Sequence, residues 1–441
     1  MFVSYWVCTQ CSMQHKTIYT GAMHIYFSGI GGVGIGPLVQ VARDAGHTVS
    51  GSDLRESLMT KRLAAEGVEV ALGQDGSRIA ELHQSQPIDW FVYTAALSEG
   101  KPELDFCVAQ GIRTSKRDEL LKVIIEQSGQ KLIAVSGTHG KTTTSGMLAW
   151  VFHHLDLPLS YIVGTTLSYG PSGKFNPSAT YFVYECDEFD RNMLHFEPSL
   201  SLITSLGYDH PDTYPTEADY RAAFIKFLQQ SDYSLMWDHD LHWLQTDPSA
   251  NLEAYDELMN LSHLTLPGDH VRRNAYLVER ALSRLLPDVP VQRIVDALNQ
   301  FPGTNRRFEK LADNLYSDYG HHPAEIAATL QLAREVSDHV VLVYQPHQNV
   351  RQHEVQGQYT DCMLKAESIY WLPTYLSRED PKLELLHPEQ LIEKLVNRET
   401  VKVAEMNSEL WNEIVHHREA GRLVLCMGAG DIDGWVRAQL N

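Results

Sequence analysis

The densest concentration of chemistry in the chain is the run Gly137-Thr138-His139-Gly140-Lys141-Thr142-Thr143-Thr144. It lies between an apolar strand, Lys131 to Ser136, and a helical pattern reaching about His154. Small residues at a strand-to-helix turn let backbone amides wrap a phosphate, and the helix N-terminus beyond them favours an anion. Lys141 adds a cation and Thr142 a hydroxyl suited to magnesium. In the common phosphate loop the position five residues before the second glycine is also glycine; here it is Val135, inside the strand. The loop is therefore a variant, G-T-x-G-K-T rather than G-x-x-x-x-G-K-T.

A second glycine-rich turn, Gly29-Ile30-Gly31-Gly32-Val33-Gly34, follows the apolar run His24 to Ser28 and opens an amphipathic helix to about Ala45. A strand from His47 to Ser50 then leads to Asp53. G-x-G-x-x-G at the first turn of a βαβ unit, with an acid about 20 positions on, can cradle a diphosphate and offer a carboxylate to ribose hydroxyls. The strand Trp90 to Tyr93 ends in Thr94-Ala95-Ala96 at the same sheet edge. The glycines could also serve only a tight strand–helix junction. A nicotinamide-dependent dehydrogenase shares this unit, but it leaves the Lys141 loop unexplained.

Acids and histidines recur at strand ends, where an open α/β sheet forms its ligand crevice. Tyr181 to Tyr184 runs into Glu185-Cys186-Asp187-Glu188, and Leu200 to Leu206 into Gly207-Tyr208-Asp209-His210. Magnesium takes hard oxygen ligands, and Glu185 is the best-placed supplier. Glu185 and Asp187 could equally be solvated charges, and His210 is one of 21 histidines, many of them core or capping groups. Further on, apolar strands end in Asp318-Tyr319-Gly320-His321-His322-Pro323, in Gln345-Pro346-His347 and in Gly428-Ala429-Gly430-Asp431. His321 and His322 could simply start the helix read from Ala324 to Val336.

These groups need a scaffold, and 441 residues suggest two or three domains rather than one core. With 43% hydrophobic and 21% charged residues the chain has a globular composition, and no stretch approaches ~18 consecutive apolar residues. A formal charge of −20 repels polyphosphate backbones and argues against non-specific nucleic-acid binding. Six scattered cysteines fit a reducing compartment, the cytoplasm. Cys8, Cys11 and His15 are three metal-capable groups without a fourth at finger-like spacing. Residues 1–22 precede the first convincing strand and lack the pattern of a signal peptide, so they are expected to be a dispensable, disordered extension. Strands alternating with helices predict three α/β domains: a Rossmann-like unit over 23–128, a P-loop-type unit with a mostly parallel sheet over 129–300, and a second Rossmann-like unit over 301–441. The polar stretch Glu126 to Gln130 is read as the linker between the first two.

Taken in order, GIGGVG, VSGSD, GTHGKTTT, YECDEFD, DHPDTY, RRFE, SDYGHHP, QPH and GAGDI resemble the Mur ligase family along nearly the whole chain after Met23. GTHGKTTT and DYGHHP are the most specific and point to the member that adds the first amino acid. The resemblance implies an ATP- and Mg2+-dependent ligase joining UDP-N-acetylmuramate to a small amino acid, acting as a monomer or homodimer. It implies that Gly29, Gly31, Gly32, Gly34, Asp53 and Thr94 hold the UDP-sugar. Gly137, Thr138, His139, Gly140, Lys141, Thr142 and Thr143 would wrap ATP, with Lys141 on the β- and γ-phosphates. Thr142 and Glu185 would bind one magnesium and His210 a second metal. Asn274 would contact adenine, and Arg307 and Asp318 would reach ATP from the third domain. His321, His347 and Arg351 would line the amino-acid pocket.

Two departures bear on function. Arg221 aligns where related ligases carry a lysine, which keeps open a nucleotide-binding regulator without turnover. Gln348 replaces the usual basic residue after QPH, in the region expected to recognise the amino acid.

Overall fold

The computed structural model describes residues 21–440 except Val33, residues 95–100, Pro248 and Arg378. Cys8, Cys11, His15, almost all of the expected extension, and Ala95-Ala96 lie outside the described residues.

Three sheets succeed one another along the chain. The first is parallel, in spatial order Glu69–Leu72, Thr48–Asp53, His24–Ser28, Trp90–Tyr93, Arg113–Lys116. His24–Ser28 is buried at every position, which is why it reads as an unbroken apolar run rather than an alternating one. The chain order reverses between His24–Ser28 and Trp90–Tyr93, so the crevice of this sheet opens at Gly29 and Thr94.

The second sheet has seven strands, in order Leu252–Tyr255, Ser234–Trp237, Leu200–Ile203, Lys131–Ser136, Tyr181–Glu185, Ser160–Ile162 and Gly173–Lys174. Only the last pair is antiparallel. Lys131–Ser136 is central, and its C-terminal end delivers the loop that starts helix Lys141–His154. The third sheet runs Glu309–Ala312, Leu315–Asp318, Leu423–Met427, Val340–Tyr344, Ser368–Trp371, Val401–Val403, antiparallel only at its first pair. The molecule is thus α/β with three mostly parallel sheets, as its alternating pattern implied.

The polar stretch Glu126 to Gln130 is not a linker. Helix Arg117–Ser128 runs through it with Leu120, Leu121, Ile124 and Ile125 buried, and Gly129 ends it at φ 67°. Glu126 and Gln127 are exposed on its last turn, and Lys131 begins the next strand.

That tight junction has a counterpart in the packing. One apolar cluster runs from Ile25, Leu38 and Leu121 of the first sheet's layer to Leu132, Phe182 and Tyr184 of the second. The third sheet keeps its own clusters on its two faces. Polar contacts hold it to the second sheet's domain: Arg272 forks onto Glu335 at 2.7 and 2.9 Å, and the Gly268 N–H donates to the same carboxylate at 2.9 Å.

Candidate active site

The Lys141 loop has the left-handed turns that its glycines permit. Gly137 has φ 129° and Gly140 φ 89°. A Cβ on Gly137 would lie 2.6 Å from Thr204 Oγ1, and one on Gly140 3.0 Å from the amide atoms of Asn274. Asn274, the residue expected at adenine, is buried on helix Asp269–Leu285 beside this loop.

At the end of the loop Lys141 Nζ donates to the Gly137 carbonyl at 2.5 Å and to both Glu188 oxygens at 2.7 and 3.0 Å. Thr142 Oγ1 donates to Glu185 Oε1 at 2.7 Å, and Glu185 Oε2 accepts the Gly164 N–H at 2.7 Å. Thr142 and Glu185 therefore meet as the sequence implied. Asp187 does not join them: its carboxylate accepts the Phe189 N–H at 2.9 Å.

Glu188 was not singled out from the sequence, yet it is the hub of this end of the site. It is 1% exposed and lies 3.6 Å from His210 Nε2 as well as on Lys141. Burial opposes its charge, but Lys141 and His210 outweigh burial and hold its carboxyl below the usual range. The reverse holds at His210, where burial is outweighed by Glu188 and Asp209 and the ring is held above its ordinary value. His210 has φ 59°, a strained conformation for a side-chain-bearing residue. Arg306, Phe308 and Gln348 share that left-handed backbone on the facing third domain, at φ 57°, 49° and 59°.

Between the second and third domains lies a cavity of about 390 Å³, lined by Gly140, Thr143, Asn274, Arg307, Asp318 and Glu325 among others. It collects His139, Gly140, Thr143, Asn274, Arg307 and Asp318 of the residues expected around ATP; Gly137, Thr138, Lys141 and Thr142 do not line it. Asp318 is buried and accepts the N–H groups of Phe308 and Gly320 at 2.8 and 2.7 Å. Burial pushes its carboxyl up to about 6 although Arg307 pulls it down. The neighbouring arginines have different tasks: Arg307 faces the cavity, whereas Arg306 donates to the Gly428 carbonyl at 2.8 Å.

Glu325 is a second residue that sequence reasoning missed. Its carboxylate lies 3.2 Å from His139 Nδ1 and accepts the N–H groups of His321 and His322 at 2.9 and 3.2 Å. The available signal was its place three residues after the helix N-cap. His322 is that cap, its Nδ1 accepting the Ala324 N–H, so the plain helix-start reading holds for His322. His321 turns instead to His347, with ring centroids 5.4 Å apart, and His347 stacks on Tyr375 at 5.7 Å. Arg351 reaches across the cleft to Asp209. Gln348 caps helix Asn349–Val355, with its N–H on the Tyr375 carbonyl at 2.8 Å.

On the other side of the Lys141 loop a cavity of about 210 Å³ joins the first and second domains, lined by Gly34, Arg117, Lys141, Gly164, Glu185 and Asp187 among others. The glycine turn and the phosphate loop therefore share one space. Asp53 Oδ2 accepts the Gly31 N–H at 2.9 Å, so this carboxylate braces the turn. Thr94 sits against Gly29, 3.6 Å from where a Cβ would be. Arg221 is outside both cavities, paired with Glu217 and 4.7 Å over the Trp243 ring.

Among the described residues no three His, Cys, Asp or Glu side chains cluster as a metal site. Thr142 and Glu185 supply hard oxygens suited to a magnesium, which would take its remaining ligands from nucleotide phosphates and water.

The chain matches three family models: the Mur ligase family catalytic domain over residues 24–128, the Mur ligase middle domain over 135–256, and the Mur ligase glutamate ligase domain over 306–430. It is 30% identical to the UDP-N-acetylmuramate–L-alanine ligase of Synechococcus sp. (strain CC9605), covering 94% of this chain and 97% of that one. It is 29% identical to the protein of the same name from Carboxydothermus hydrogenoformans, covering 93% and 94%. In fold it is similar to the UDP-N-acetylmuramate-alanine ligase of Thermotoga maritima, with TM-score 0.72, 22% identity and coverage of 95% and 98%. A murein peptide ligase from Psychrobacter arcticus aligns with TM-score 0.63, 23% identity and the same coverage.

Proposed function

The chain belongs to the Mur ligase family, and from that premise we propose that it is an ATP-dependent, ADP-forming ligase joining UDP-N-acetylmuramate to L-alanine during synthesis of peptidoglycan precursors. The observation that carries this reading is the position of the Lys141 loop. It borders a cavity shared with the glycine turn on one side and a cavity shared with Asn274, Arg307 and Asp318 on the other. Residues 23–128 then serve the UDP-sugar, 129–300 ATP, and 301–441 the amino acid and closure. A reaction that consumes ATP and a nucleotide sugar places the enzyme in the cytoplasm.

In this mechanism one oxygen of the sugar carboxylate bonds to the γ-phosphorus of ATP. The bridging P–O bond breaks, and ADP leaves with its electron pair. The neutral amine of alanine then adds to the acyl carbon, phosphate departs from the tetrahedral intermediate, and the nitrogen gives up a proton. Phosphoryl transfer of this type depends on positioning and charge stabilisation more than on a protein nucleophile. Lys141, held by Glu188, places its ammonium at the β- and γ-phosphates, and Arg307 adds a second cation from the closing domain. Thr142 and Glu185 would hold one magnesium and His210 a second metal, and these ions would neutralise phosphate charge. Domain closure keeps water from the acyl phosphate.

The test is ADP release with UDP-N-acetylmuramate against a panel of amino acids and the tripeptide L-Ala-γ-D-Glu-meso-diaminopimelate. Release that requires both the UDP-sugar and L-alanine supports the reading. Release with the tripeptide but not alanine reassigns the second substrate, and no release with any partner overturns ligation.

A further inference from the structure

Arg117 belongs to the first domain but points into the cavity that contains Lys141 and Glu185. It is the first residue of helix Arg117–Ser128, and its guanidinium lies over the last glycine of the UDP-sugar turn. A Cβ on Gly34 would be 2.2 Å from Arg117 Nη1, so a side chain there would displace the guanidinium from this position. Arg117 Nε is 3.5 Å from Asp118 and Nη2 is 3.8 Å from Asp187, which are ion-pair rather than good hydrogen-bond distances.

The other charged groups lining this cavity have closer partners. Asp118 accepts the Tyr184 hydroxyl at 2.9 Å, Glu185 is held by Thr142 and the Gly164 N–H, and Lys141 lies on Glu188. Among the described residues the lining carries two cations, Arg117 and Lys141, beside the carboxylates Asp118, Glu185 and Asp187, the last of which accepts the Phe189 N–H at 2.9 Å. At about 210 Å³ the space is below the roughly 300 Å³ at which pockets for drug-sized ligands begin. It suits the acid-bearing end of a sugar rather than its nucleotide.

We propose that Arg117 grips the carboxylate of the acid substrate and turns it toward the γ-phosphate held by the Lys141 loop. The inference rests on the ligase reading above. A guanidinium fork matches a carboxylate with two parallel N–H···O bonds, fixing direction as well as position, and a lysine cannot reproduce that geometry. Arg117 is then the residue by which the first domain distinguishes an acid sugar from its neutral counterpart.

The test is calorimetric binding of UDP-N-acetylmuramate and of UDP-N-acetylglucosamine, the same nucleotide sugar without the lactyl acid, to the full chain and to Arg117→Gln and Arg117→Lys. Loss of the charge-assisted pair should weaken the acid sugar roughly 10- to 100-fold in Arg117→Gln. Affinity for the neutral sugar should stay within about 3-fold, and Arg117→Lys should recover part of the loss. Equal weakening toward both sugars would overturn the proposal, because Arg117 would then serve the nucleotide or the fold. Retained preference for the acid sugar in both variants would overturn it as well. If Arg117→Gln does not fold, Arg117→Lys decides: it must lose affinity for the acid sugar alone. A wild-type protein with no ADP release and no preference for the acid sugar would instead sink the ligase reading itself.

Discussion

Arg351 and Asp209 face one another across the cleft between the third and second domains, with the two terminal guanidinium nitrogens each 3.4 Å from a different carboxylate oxygen. Burial alone would raise the Asp209 carboxyl, but Arg351 and His210 hold it down at about 2. The pair couples the expected amino-acid pocket to the residue next to His210, so on the ligase reading proposed above closure and alanine recognition would share a side chain. Asp209→Asn and Arg351→Gln should each lower kcat about 5- to 50-fold, and the double variant should be little worse than either single one. Steady-state kinetics on the cycle decides it, and independent, additive losses would show that the two residues act separately.

Lys141→Ala should cut ligation far more than it weakens UDP-sugar binding, to which Lys141 contributes only as a second cation in the cavity beside the glycine turn. Loss of one preorganised hydrogen-bond donor to developing charge typically costs about 100- to 1,000-fold in turnover. ADP release and calorimetry report the two effects separately; turnover near wild type would remove the phosphate-loop assignment.

Glu188 should matter to stability as well as to chemistry. Glu188→Ala leaves the Lys141 ammonium without its buried partner, which should cost about 3–5 kcal/mol. Adding Lys141→Ala to that variant should recover part of the loss, because no unpaired charge then remains. Urea unfolding of both variants measures this, and a double variant less stable than Glu188→Ala would contradict it.

Glu185→Ala should depress activity more than Asp187→Ala, by about 10-fold or more, since Glu185 alone of the two meets the Thr142 hydroxyl. Magnesium titration of each variant is the readout. An unchanged magnesium requirement in Glu185→Ala would move the metal elsewhere.

Acid should loosen the cleft before it unfolds the sheets. Burial, aided by neighbouring cations, lowers His270, His322 and His347 from 6.5 to about 4. Each is therefore neutral in the folded protein, while the unfolded chain takes up its proton near 6.5. Their stabilisation is present above pH 6.5 and is lost as pH falls toward 4, at on the order of 1–3 kcal/mol for each ring. Tm measured between pH 7 and 4 should fall steadily, and His270→Phe should flatten the slope; an unchanged slope would show that His270 does not bear this cost.

The parts of this structure that could be read in advance were those whose signal is local. His24–Ser28, Trp90–Tyr93 and Lys131–Ser136 are apolar runs buried inside sheets and stopped by turn residues, and they fold with the boundaries the sequence suggests. The edge strand Arg113–Lys116 is polar and carries no such signal. At the site, Thr142 and Glu185 were found because each sits at a strand or helix end with a recognisable spacing. Glu188, Glu325 and Arg117 were missed because their identity lies in their partners. Glu188 pairs with Lys141, Glu325 with His139 and Arg117 with the Gly34 turn, and pattern along the chain does not record those meetings.

The apolar layer shared by the first two sheets makes the molecule modular in an uneven way. The third domain could be exchanged for that of a ligase with another amino-acid preference by rebuilding polar contacts such as Arg272–Glu335. A transplanted first domain would have to repack the cluster that joins Leu38 and Leu121 to Phe182 and Tyr184. On the ligase reading proposed above, choice of amino acid is therefore the property this architecture leaves easiest to change, and choice of nucleotide sugar the hardest.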